Sequence, residues 1–333
     1  LGSIDVGNTT RIEALLILVS HGFHQFNKPD FHRISNDFFG HLDRIKYFRT
    51  HRPSELSDTQ RRRQYVKSII MNVKSVCIVT AILFIMNQAA FGQNNRLHTS
   101  NTIGWYNYFG TFQVTKKMGV HTEYQCRRNN IVTDWQQSLL RVGVNYNLNK
   151  RLMFRVGYAW IETFPYGEYS INGFGKEFTE HRLFEMVQLS HNEGIVEMYH
   201  RLMLEQRFVG KYSSSNQTSE DNFQQLNRVR YNIKLQLPLK GNTIKNHTPY
   251  VTLYDEIFIG FGKNVNTNIF DQNRIGALLG YRFNENIKIE GGYLNQTLQF
   301  GRQINGQPIF QHNNGLIINA NIYMDLTKQQ NKK

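Results

Sequence analysis

Two cysteines, six prolines and, beyond residue 93, no apolar run of membrane-helix length set the first limits on this sequence of 333 residues. Cys77 falls inside the single long apolar stretch, so Cys126 is the lone cysteine beyond residue 93. A lone cysteine excludes an intramolecular disulfide and a metal site built on paired thiolates. It is compatible with a periplasmic or outer-membrane protein and at odds with a disulfide-stapled secreted domain. Beyond residue 93, clusters of basic residues are also missing, the run Arg61 to Arg63 lying upstream. The whole chain carries a formal charge of +14. From residue 93 onward the balance is +9, with 27 basic against 18 acidic residues spread singly along the chain. Without a patch or stripe of that charge, nucleic acid is not an expected partner. Metal-ligand spacings are absent, and "GIVEMY" and "GFGK" lack the following helix that a phosphate loop needs, so no metal or cofactor is expected.

What is present begins with "MNVKSVCIVTAILFIMNQAAFGQ" at residues 71–93. Lys74, the apolar run Val76 to Met86 and the small residues Ala89, Ala90 and Gly92 form the three parts of a secretory signal. The run is too short to span a bilayer, which needs about 20 residues. A buried helix or strand could have this length as well. Met71 is, however, the first methionine of the chain, and the composition changes after Gln93. We therefore expect a signal peptide over 71–92, cleaved before Gln93. A signal is read at an amino terminus, so residues 1–70 are expected to be an upstream extension from a mis-set start, with no fold and no function. The mature part, 93–333, is long enough for one large β domain.

In "NRVRYNIKLQLPL", Val229, Tyr231, Ile233, Leu235, Leu237 and Leu239 oppose Arg228, Arg230, Asn232, Lys234 and Gln236. Period two held over more than ten residues is a strand signature, and the run is long beside the usual 5 or 6 residues of a soluble strand, roughly. The same alternation recurs at 140–148, 152–160, 274–283 and 316–326, and more weakly at 104–114, 119–128, 182–191, 195–209, 249–261 and 287–299. That makes eleven recognisable strands. Tight connections are expected at 116–118, 148–150 and 284–286, and long polar loops at 165–180, 211–225, 263–272 and 301–314.

Strands of about ten residues with aromatic ends, joined alternately by short turns and long loops, are what an outer-membrane barrel requires. Lipid cannot hydrogen-bond a sheet edge, so the sheet must close on itself. The expected fold is all-β, a transmembrane antiparallel up-and-down barrel of 10 to 12 strands. Because bacterial barrels normally have an even number, a twelfth strand in a broken segment or a mis-phased first hairpin is expected. A soluble sandwich or lipocalin-like barrel would turn the apolar face inward instead.

The segments "WYNYFG", "LRVGVNYNLNKRLMFRVGYAW", "RLMLEQRF", "NRVRYNIKLQLPL", "PYVTLYDEIF" and "NRIGALLGYRFNENIKIEGGYL", after a signal ending in "AFGQ", resemble the DUF2490 family of small Gram-negative outer-membrane β-barrels. The resemblance covers 93–326. It implies an outer-membrane barrel without an assigned biochemical role and transfers no catalytic residue. Its expected partners are outer-membrane lipid and lipopolysaccharide, and the barrel-assembly machinery during insertion. Barrels often finish on an aromatic residue that this machinery reads, whereas this chain passes Tyr323 and ends "MDLTKQQNKK".

No catalytic residue is assigned. On a strand a Ser/His pair needs His-x-Ser spacing, because only alternate residues share a face. Ser190 and His191 are adjacent, and His121, His200, His247 and His312 have no serine two residues away. A cross-strand pair such as His191 with Ser138 is one route to the alternative function, an outer-leaflet lipid-modifying hydrolase of the lipid A deacylase or phospholipase type. Asp255 and Glu256 diverge, and the pattern does not say which faces inward. The inward face is expected to carry Arg141, Arg155, Arg228, Arg230, Lys234, Arg274, Arg282 and Lys288 against Glu123, Glu197, Glu205 and Glu290. Such a lumen is either filled by its own ion pairs or a narrow pore favouring small anionic solutes. The expected function is therefore non-enzymatic, either envelope-structural or pore-like.

Overall fold

The computed structural model describes residues 96–265 and 268–327. The expected signal peptide and upstream extension lie outside them. The barrel belongs to the compact unit Gln93–Lys333. Its strands are β1 (Leu97–Gln113), β2 (Met118–Asn129), β3 (Asp134–Asn147), β4 (Leu152–Thr163), β5 (Phe178–Glu193) and β6 (Val196–Lys211), followed by β7 (Asn222–Pro238), β8 (Thr248–Phe261), β9 (Phe270–Arg282), β10 (Ile287–Ile304) and β11 (Gln307–Asp325). Each strand pairs with its neighbours in sequence, and β11 pairs with β1 to close the barrel.

The described strands number eleven, not the even number expected. Ten pairings are antiparallel, and the closing pair runs parallel from Leu97↔Ile309 to Gln113↔Asp325. The reason is topological: in an up-and-down meander with an odd count, the first and last strands point the same way. Side chains cross this seam, with Asn107 Nδ2 donating to Asn319 Oδ1 at 2.9 Å and Asn101 Nδ2 to Asn313 Oδ1 at 3.2 Å.

Alternation decides the two faces. The adjacent leucines of β9 show it: Leu278 is 2% exposed and Leu279 is 66% exposed. Val142, Val144, Val156, Tyr158, Trp160, Leu183, Leu202, Tyr231, Leu253 and Ile275 are likewise exposed on the outer wall. The interior holds most of the buried polar residues, among them Glu123, Arg141, Glu205, Arg228, Arg230, Gln311 and Asn313. This is inside-out relative to a soluble barrel. The outer wall is interrupted where Gln206 donates to Glu185 (3.2 Å) and Asn273 to Asp255 (2.6 Å), so these polar groups satisfy each other.

The connections after β1, β3, β5, β7 and β9 lie at one end of the barrel and are tight except for 239–247, and those after β2, β4, β6, β8 and β10 lie at the other, which carries the long loops 164–177 and 212–221. Both ends differ in detail from expectation. Glu180, Asp271 and Gln272, expected in loops, lie within β5 and β9. The loop expected over 301–314 is instead a hairpin, with Gln303 opposite Pro308 and Ile304 opposite Gln307. Asn305 (φ 50°) and Gly306 (φ 76°) form its two-residue turn. Positive φ at both centres matches the right-handed twist of the strands, and Asn-Gly takes that conformation at small cost.

Candidate functional site

The interior is organised around Glu205 on β6, which is 0% exposed. Arg230 Nη1 donates to its Oε1 at 2.7 Å, and Arg228 donates to its Oε2 through Nε at 3.0 Å and through Nη2. Arg141 and Arg182 approach the same carboxylate at 3.8 and 3.9 Å. One carboxylate thus faces four guanidinium groups from β3, β5 and β7.

Each of those arginines has a second acidic partner. Arg228 reaches Asp271 at 2.5 Å, Arg230 reaches Glu256 at 2.7 Å, Arg141 reaches Glu123 at 2.7 Å and Arg182 reaches Glu180 at 2.5 Å. Arg207 then joins Glu180 (2.5 Å) to Asp271 (3.3 Å). The contacts close into a ring of six charges, Glu205, Arg228, Asp271, Arg207, Glu180 and Arg182. Branches lead to Glu123 with His121 (3.2 Å) and to Glu256 with Arg201 (2.9 Å). Charges paired at this density compensate one another away from water, while Arg141 Nε, Arg201 Nε and His121 Nδ1 stay buried without a hydrogen-bond partner.

A second group surrounds Trp105 on β1. Arg127 of β2 stacks on its ring at 3.9 Å and Arg274 of β9 at 4.9 Å. Its indole N–H donates to Gln136 Oε1 at 2.7 Å. Gln136 Nε2 donates to the hydroxyl of Tyr166 (2.9 Å), as does Asn313 Nδ2 (3.1 Å). Tyr166 lies in the loop after β4, so this loop dips into the barrel mouth. Arg302 donates to Ser170 O at 2.6 and 2.9 Å, and Lys176 Nζ to Ser215 O at 2.7 Å, which ties the loop to β10 and to the loop after β6. In that second loop, Ser213 donates to Asp221 through its hydroxyl and its backbone N–H, holding the exposed carboxyl below the ordinary range.

The tight-turn end is lined more loosely. Glu290 accepts from Gln236 (2.7 Å), Thr252 (3.0 Å), Tyr250 (3.2 Å) and Asn319 (3.4 Å) and sits in no ion pair among the described residues. Lys234 lies 4.7 Å from the Tyr199 ring centroid and Lys288 5.8 Å from that of Tyr250. Glu197 accepts from Tyr199 (2.8 Å), and Arg282 donates to Ile244 O (3.2 Å). On β4, Arg155 donates to Asn145 (2.5 Å). Strand parity puts all twelve charged residues named from the sequence on the interior face. It does not bring them to one place: Arg141, Arg228, Arg230, Glu123 and Glu205 join the central cluster, Arg274 belongs with Trp105, and the rest lie apart.

Sequence reading missed Arg127, Arg182, Arg201, Arg207, Glu180, Glu256 and Asp271. Glu256 turns inward and Asp255 outward, which settles the pair whose facing the pattern did not decide. Parity along β2, β5 and β6 carried the signal for Arg127, Arg182 and Arg207, had those weaker strands been phased. The candidate Ser/His contacts are not formed. Ser138 donates to Tyr124 (3.3 Å), Ser190 to Arg151 O (3.3 Å), and His191 stacks on His200 at 5.3 Å. No group of three or more His, Cys, Asp or Glu that could hold a metal occurs among the described residues.

Comparison with known proteins gives three findings. No curated protein matches the chain. Among solved structures, one of the NanC porin, in a rhombohedral crystal form, is similar at 12% identity and a TM-score of 0.35, covering 62% of this chain and 90% of that one. The barrel assignment rests on strand pairing and not on that likeness. The family model described as "Protein of unknown function (DUF2490)" matches residues 102–305, and the chain belongs to that family.

Proposed function

We propose that the chain is a non-enzymatic outer-membrane barrel whose lumen is closed at mid-height by its own charges. The observation that carries this is the inversion of its faces. An apolar outer wall with a charged interior is favourable only where the surroundings are hydrocarbon. The dimensions agree: the shortest strands have 12 residues, and at about 3.3 Å per residue and a tilt of about 40° they rise about 30 Å. The segment at 71–92 supports export, and lipopolysaccharide and the assembly machinery are the partners such a barrel meets.

Closure is favoured over an open anion-selective pore by the packing around Glu205, against which no water fits. Phe258, against which Arg228 and Arg230 pack, is equally inaccessible, as are Tyr250 and Gln311 at other levels of the lumen. The test is planar-bilayer recording on the purified full chain, after outer-membrane fractionation and heat-modifiable migration in gels. A silent bilayer, with conductance appearing in Glu205→Ala, is the expected outcome. A steady anion-selective conductance in the unaltered protein would overturn closure, and failure to fractionate with the outer membrane would overturn the location.

A further inference from the structure

At the loop end of the lumen lies a cavity of about 210 Å³, walled by residues of β2 to β7, β9 and β10 and by the loop after β4. Seven basic side chains line it against two acidic ones, Glu180 and Asp271. Both acids are already committed, each contacting two arginines of the ring. Arg127 and Arg274 are 5% and 8% exposed, yet neither forms an ion pair with any described carboxylate.

Their partners are neutral. Arg127 donates to Gln137 (2.6 Å) and Gln125 (3.0 Å), and Arg274 to Gln272 (3.1 and 3.2 Å). Gln272 Oε1 also accepts from Gln296 at 2.6 Å, so its lone pairs are taken. Arg274 Nη1 donates to no described group. Stacking on Trp105, and for Arg274 also on Phe258 at 4.6 Å, orients the guanidinium groups and supplies part of the missing compensation. A buried cation without a counter-charge is unfavourable, because burial strips its hydration and nothing of opposite charge replaces it. Lys211 and Arg302, both on the cavity wall, add positive charge that no described acid pairs with.

We infer that this cavity is a binding site for a small, multiply charged oxyanion, a free phosphate or carboxylate compound. Guanidinium forks match both groups in geometry. Gln136, Gln137, Gln296 and the Tyr166 hydroxyl add neutral hydrogen-bonding positions around the charged ones. The volume equals that of about seven water molecules, which admits pyrophosphate or a tricarboxylate and excludes a folded polymer. Its walls are inward-facing side chains, so the headgroup of a lipid packed against the outer wall does not reach it. The inference rests on the closed-lumen reading only in making the cavity a terminus and not a passage.

The test uses the full chain in neutral detergent, titrated calorimetrically with pyrophosphate and with citrate at ionic strength held constant by sodium chloride. Saturable binding is expected, weakened about tenfold or more in Arg274→Gln and in Arg127→Gln, each of which removes a charge-assisted contact. Lys288→Gln, at the far end of the lumen, is expected to bind as the parent does. Heat-modifiable migration checks that each variant is folded, and conductance reads closure separately. Absence of saturable binding by either anion, or equal weakening by Lys288→Gln, would overturn the site. Displacement of bound pyrophosphate by phosphatidylglycerol micelles would overturn the free-anion assignment in favour of a lipid headgroup.

Discussion

Replacing Glu205 by Gln keeps the side chain's shape and removes the one charge on which four arginines converge. Arg228 and Arg230 lose a direct partner, and Arg141 and Arg182 lose a counter-charge at 3.8 and 3.9 Å. Removing one member of a buried ion pair costs about 3–5 kcal/mol, because the other charge stays buried. Here every arginine retains a second carboxylate, Asp271, Glu256, Glu123 or Glu180. The loss should therefore lie at the low end, about 3 kcal/mol. A chain of this size shifts its midpoint by about 2–4 °C per kcal/mol, so the expected fall is about 6–12 °C. The assay is the temperature at which the compact, fast-migrating form in detergent converts to the unfolded band. Because the cluster is shielded from solvent, the fall should be nearly the same in low and in high salt. Adding Arg230→Gln to Glu205→Gln should recover part of the loss, as neighbours in one network are non-additive. A midpoint for Glu205→Gln at or above that of the parent would refute the claim that the cluster holds the lumen together.

Three further outcomes are expected. Leu253→Arg places a charge on the exposed outer wall of β8 and should destabilise the barrel in liposomes by up to about 4 kcal/mol, measured by urea unfolding of the inserted protein. Gly280→Val should cost about 1–3 kcal/mol in the same assay, since a Cβ at 280 overlaps the ring of the fully buried Tyr250, whose hydroxyl donates to Glu290 at 3.2 Å. With eleven strands the barrel begins and ends at opposite rims, so epitope tags placed before Leu97 and after Asp325 should be accessible from opposite sides of the membrane. Labelling of both tags from one side of intact cells would mean an even strand count.

The order of residues alone specified the strand set, the two faces of the strongly alternating strands and part of the charge carried by the interior. Side-chain direction along a strand is a local property with period two, so "NRVRYNIKLQLPL" already separates Arg228 and Arg230 from Val229 and Tyr231. It did not specify where strands end. Glu180 sits where β5 runs on past the apolar wall, and Asp271 is the unpaired residue of a bulge between Phe270, opposite Ile259, and Gln272, opposite Phe258, which strict alternation does not foresee. Nor did the even-count expectation survive, because closure depends on which edges meet, and β1 meets β11 in parallel. It took the folded barrel to show that Glu205 of β6 gathers arginines from β3, β5 and β7, and that Trp105 of β1 is met by Arg127 from the adjacent β2 and by Arg274 from β9, two strands beyond the β11 seam. Those contacts cross the lumen or pass around its wall between residues far apart in sequence. Register and barrel closure set such distances, and no spacing along the chain records them.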